Sequence, residues 1–123
     1  MHEISLGRTR DASPSPVWRV LVDRLWPRGV AKTGAPWDEW IKDAAPSTEL
    51  REWYGHKPER QQVFRDRYWH ELVAWRDDAL HNELMSRAKR QPVMLLTATK
   101  DVERSHLPVL RDFLRDMQHD RTQ

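Results

Sequence analysis

A chain of 123 residues, 38% hydrophobic and 33% charged, has the size of a single domain and the composition of neither a disordered acidic chain nor a membrane protein. It has no cysteine, which removes disulfides, thiolate catalysis and cysteine-ligated zinc together and leads us to expect a cytoplasmic protein. A net charge of +2, with Arg and Asp interleaved as in Arg65-Asp66-Arg67, points to solvated faces rather than the dense basic stripe of a phosphate-tracking DNA binder.

Residues 3–9 are weakly strand-like, 11–16 form a turn-rich break, and 17–23 (VWRVLVD) form a β-branched, apolar strand. No basic segment followed by an apolar run opens the chain, so no signal peptide is expected. Residues 24–35 are a loop. Pro36 is expected to open a short helix with Trp37, Trp40, Ile41 and Ala44 on one face. Pro46 closes it, and Ser47 caps a second short helix ending at Gly55. From Pro58 runs the longest helix, with an inner stripe of Phe64, Tyr68, Leu72 and Trp75. Asp77 or Asp78 restarts a helix carrying Leu80, Leu84, Met85 and Ala88. Residues 93–98 (VMLLTA) read as a buried strand too short to cross a bilayer, and Ser105 caps a last helix with Leu110, Phe113, Leu114 and Met117 inward. The expected fold is therefore one α/β domain over 1–123, with a small open, mainly parallel sheet of about three strands flanked by helices. Its N-terminal 16 residues are partly irregular, and 118–123 form a flexible tail.

Both main strands end in charge: Asp23-Arg24, with Arg28 beyond, and Lys100-Asp101, with Ser105 and His106 beyond. In open parallel sheets, ligands bind past the carboxyl ends of the strands, so these residues are expected to share one cleft. Three chemistries compete there. Arg24, Arg28 and Lys100, beside a helix start at Ser105, suit a phosphate or carboxylate. Asp23 and Asp101 suit a shared magnesium ion. His106 suits a general acid or base oriented by an aspartate, with Asp23 and Asp101 as its partners. Against all three stands a closed ion-pair network, Asp23–Arg24 and Lys100–Asp101, that only pins two loops.

Seven tryptophans are the compositional anomaly. Most fit a core, and Trp26 alone sits where it could stack on a ligand. His56 reads as a helix-end residue, and His2, His70, His81 and His119 as surface positions without metal spacing. Glu49, Arg51 and Tyr54 read as a solvated face with the cleft as the alternative. There is no P-loop, no G-x-G-x-x-G, no H-E-x-x-H and no nucleophile elbow, and no cofactor is identified. The expected partner is an anionic small molecule, ahead of nucleic acid, with no membrane. A non-catalytic nucleic-acid-associated or protein-interaction module, docking through Trp26 and the arginines, is the alternative.

Residues 19–30 (RVLVDRLWPRGV), 45–54 (APSTELREWY) and 100–106 (KDVERSH) resemble the YeaO-like family of small bacterial proteins, and the resemblance extends from Val17 to Leu114. It implies a small α/β fold and carries over no activity, substrate or cofactor. Ser105-His106-Leu107 stands where the family usually has Asn-His-Ala, and Thr97 where it commonly has tyrosine. A winged-helix regulator, a description that some members carry, needs a hairpin after its recognition helix, and the late strand here leads into another helix.

Overall fold

The computed structural model describes residues 3–11 and 16–121, with side chains through 118. Four strands form one all-parallel sheet in the order β1-β4-β2-β3. β1 is Ile4–Arg8, β2 is Trp18–Leu21, β3 is Glu39–Trp40 and β4 is Val93–Thr97. The strands expected at 17–23 and 93–98 are parallel neighbours, with Trp18 opposite Val93 and Leu21 opposite Leu96. β4 lies between two strands, and all five of its residues are buried. That double burial is why its sequence is a continuous apolar run rather than an alternating one.

The alternation of side chains along the strands divides the core in two. Val20, Val22, Val93 and Leu95 face a large cluster that receives the inner stripes of every helix. These helices are α1 (Thr48–Tyr54), α2 (Gln61–Trp75), α3 (Ala79–Arg90) and α4 (Leu107–Arg121). Leu21, Met94 and Leu96 face the opposite side, where Trp37 packs on them and Val30, Trp26 and Trp40 complete the cover. One face of the sheet is therefore roofed by helices and the other by the irregular segment between β2 and β3.

Local signals account for most helix ends. Ser47 Oγ accepts from the Leu50 amide, Gly55 terminates α1 in the left-handed region at φ 52°, and Asp78 caps α3. Phe64, Tyr68, Leu72 and Trp75 are all buried. Residues 118–121, expected in a tail, lie within α4.

Two readings are corrected. Residues 36–44 are not a helix: they form β3 followed by a 3₁₀ turn, Lys42–Ala44. The open edge of β2 supplies the reason. Arg19 O and Leu21 O accept from the Asp38 and Ile41 amides, and Arg19 N donates to Asp38 Oδ2. The apolar residues at helical spacing are thereby shared between two cores, Trp37 and Trp40 to the loop side and Ile41 and Ala44 to the helix side. His81 is not at the surface. It is 1% exposed, with its ring edge-on to Trp75 at 4.9 Å. His70 is exposed, and the readings on His2 and the His119 side chain lie outside the described residues.

Candidate functional site

Past the carboxyl ends of β2 and β4 lies a cavity of about 320 Å³, lined by Asp23, Arg24, Trp26, Ser105 and His106 from the predicted set. Arg28 and Lys100 line a different cavity, on the loop-covered side, and Asp101 lines neither. Pro27 and Ala98 line both spaces. The strand ends do converge on one edge, but side chains leave that edge toward both faces of the sheet.

Asp23 is the organising group of the first cavity. Its Oδ1 accepts from Thr97 Oγ1 at 2.7 Å and its Oδ2 from the Ala98 amide at 2.8 Å. The carboxylate thus ties the end of β2 to the end of β4. Thr97, at the family's tyrosine position, supplies one of those bonds from a fully buried side chain. Trp40 Nε1 donates to the Asp23 carbonyl at 2.7 Å, which joins the third strand to the same point.

His106 precedes α4, and its carbonyl accepts from the Leu110 amide, so the imidazole is held at a fixed helix start. Its Nε2 donates to the Val22 carbonyl and lies 3.6 Å from Asp23 Oδ1. A carbonyl can only accept, so the neutral ring carries its proton on Nε2 and offers Nδ1 as an acceptor. Burial pushes the His106 pKa below its ordinary value; Asp23 and the Val22 carbonyl oppose this, and His56 and Arg51 add to it. The folded protein therefore holds the neutral ring where an unfolded chain would take up a proton. As pH falls below about 6.5, the unfolded state binds more protons and stability drops, until the folded ring also protonates. Urea unfolding should show wild type losing more stability than His106→Gln between pH 7.5 and 5.5, by at most about 1.4 kcal/mol per pH unit. Equal losses in the two proteins would mean that the folded ring protonates normally.

Arg24 is a clamp. Its guanidinium bonds Asp43 Oδ1 at 3.1 Å, the Ala45 carbonyl at 2.8 Å and the Pro46 carbonyl at 3.4 Å. The closed network Asp23–Arg24 and Lys100–Asp101 does not form. Asp43 takes Arg24, and Asp101 caps the 3₁₀ turn Val102–Arg104 while pairing with Arg104 at 3.5 Å. Ser105 Oγ donates to the Val102 carbonyl and accepts from the Leu107 amide, a cap placed just ahead of α4. Trp26 is half-buried, bonded through Nε1 to the Val30 carbonyl and edge-on to Trp37 and Trp40. It is the centre of the loop-side cover as well as a cavity wall. Among the described residues, no group of three or more His, Asp or Glu side chains is placed to hold a metal ion.

The cavity also gathers Arg51, Tyr54, His56 and Phe64. Arg51 and Tyr54 lie three apart on α1, and the Ser47 cap already places that pair on one helix face. His56 follows Gly55 with a φ of 56°, so two left-handed residues in succession turn the chain at the cavity. Tyr54 and Phe64 stack at 4.2 Å and form an aromatic wall. Arg51 is exposed and has no ion pair among the described residues.

The family described as "Inactive DUF488-N3 subclade" matches residues 3–123. "Uncharacterized protein Rv3073c" of Mycobacterium tuberculosis (strain ATCC 25618 / H37Rv) is 47% identical over 104 residues, 85% of this chain and 86% of the relative. "Uncharacterized protein YeaO" of Escherichia coli (strain K12) is 41% identical over 106 residues, 86% of this chain and 90% of the relative. No solved structure matches the chain. Among the described residues, no helix is long and apolar enough to cross a membrane.

Proposed function

This chain belongs to the Inactive DUF488-N3 subclade and is YeaO-like, and on that premise we propose that its strand-end cavity binds, without transforming it, a small anion with an apolar body. The observation that carries this reading is the pairing of charges. Among the described residues, the one carboxylate lining the cavity, Asp23, has both oxygens engaged by the protein, whereas the cation Arg51 has no ion-pair partner. A ligand oxyanion is the natural complement of such a guanidinium. Leu25, Pro46, Tyr54 and Phe64 supply apolar walls for its body. A volume of about 320 Å³ is at the small end of ligand pockets.

The absence of transformation rests on the same geometry. Ser105 Oγ is fixed by two backbone bonds, and Tyr54 Oη donates to the Arg104 carbonyl at 3.2 Å. Each hydroxyl donates its proton to a backbone carbonyl and not, as an activated nucleophile would, to a base. The test uses phenyl phosphate and benzoate as probes, read by melting temperature and calorimetry. Both should stabilise wild type by mass action. Arg51→Glu should abolish binding while its own stability stays within about 0.5 kcal/mol of wild type, as for an exposed residue away from the core. No stabilisation at millimolar probe, or unchanged binding in Arg51→Glu, overturns the reading, and probe consumption overturns its non-catalytic part.

A further inference from the structure

The second cavity, about 780 Å³, opens on the loop-covered side of the sheet and has a different electrostatic character. Among the described residues, five cationic side chains line it, Arg8, Arg10, Arg19, Arg28 and Lys100, against the single carboxylate of Asp11. Asp11 Oδ2 accepts from the Arg8 amide, a turn contact, and Asp11 has no ion pair among the described residues. Arg10, Arg28 and Lys100 are exposed and have no counter-ion among the described residues. The Nε of Arg8 is buried with no hydrogen-bond partner. In a chain of net charge +2, this concentration is local and works against its own repulsion.

Part of the charge is held in place. The Arg19 guanidinium donates to the Pro36 carbonyl at 2.6 Å and to the Thr9 carbonyl at 3.5 Å, so it forms a fixed, half-buried floor. A planar guanidinium fixed by backbone carbonyls has less rotamer freedom to lose on binding. We propose that this groove is a second anion site, for a compact ligand carrying adjacent phosphates and recognised through them alone. Adjacent phosphates match several guanidinium forks around one space, and they bring enough negative charge to offset five cations. The aromatic content excludes base recognition. Trp37, the one aromatic in the lining, is 8% exposed and edge-on to Trp26 at 4.9 Å, and so offers no stacking face. The phosphates of a nucleic-acid backbone share this chemistry, but they are strung along an extended track, whereas here the cations surround one concavity.

Calorimetry of the full chain in low salt tests the proposal, with sodium tripolyphosphate, inorganic phosphate and a 20-nucleotide single-stranded DNA as probes. Tripolyphosphate should bind about tenfold or more tightly than phosphate, and more tightly per site than the DNA. Arg28→Glu and Lys100→Glu should each weaken it by roughly tenfold or more, the loss of one charge-assisted contact. Lys57→Glu, the same charge change at an exposed position outside both cavities, should weaken it less than threefold. Both groove residues are exposed, and circular dichroism melts of the variants should match wild type. No binding of tripolyphosphate, equal weakening by all three variants, or tighter binding of the DNA each overturns the proposal. So does a loss confined to Arg51→Glu, which would put the phosphates in the first cavity.

Discussion

Replacing Asp23 with alanine should destabilise the protein by about 3–5 kcal/mol, the cost of losing two hydrogen bonds to one charged acceptor at about 1.5–3 kcal/mol each. Two groups lose their partner at once: the fully buried Thr97 hydroxyl donates to Oδ1, and the Ala98 amide donates to Oδ2. Against a typical stability of about 5–15 kcal/mol, this is a large share, equivalent to a fall of roughly 10–20 °C in Tm. Asp23→Asn separates charge from shape. The amide keeps an oxygen for the Ala98 amide but turns an N–H₂ toward the Thr97 hydroxyl, whose oxygen already accepts from the Thr99 amide at 3.2 Å. About half the alanine effect is therefore expected. An alanine variant within 1 kcal/mol of wild type, by urea titration, would mean that water replaces the carboxylate, and that Asp23 is retained for the ligand rather than for the fold.

Tyr68→Ala should cost about 4–5 kcal/mol, at the upper end for a large buried aromatic. The ring is fully buried in α2 beneath the cavity, tilted against Phe64 and edge-on to His106 at 6.1 Å. Its hydroxyl donates to the Ala44 carbonyl at 2.5 Å, which ties the helix layer to the 3₁₀ turn after β3. Burial raises the Tyr68 pKa well above its ordinary value, so the donor proton stays in place at any working pH. Tyr68→Phe isolates that bond and should cost about 1–2 kcal/mol with little change in cavity shape. The two variants should also differ in ligand binding. Alanine removes a wall behind His106 and should lower affinity for the cavity probes, while phenylalanine should not. If phenylalanine costs as much as alanine, the hydroxyl and not the ring holds the turn.

The sheet's core strands, the helix starts and the inner stripes were legible because each rests on short-range physics. The apolar run at Val93–Thr97, the caps at Ser47 and Asp78, and the stripe from Phe64 to Trp75 each announce their own conformation. Parallel pairing follows from helices lying between strands, and it places Asp23 and His106 at one edge. Tertiary structure alone decided the rest. Trp37 to Ala44 carries helical spacing, yet the unpaired edge of β2 draws its backbone into a strand, since hydrogen bonds from a neighbour outweigh a weak local preference. Arg24 and Arg28 are four residues apart and chemically alike, but one is consumed by three acceptors on the 43–46 segment while the other faces solvent across the sheet. Sequence determined which charges stand at the strand ends. Which of them are spent on the protein and which remain for a ligand depends on distances between segments far apart in the chain, and only folding sets those.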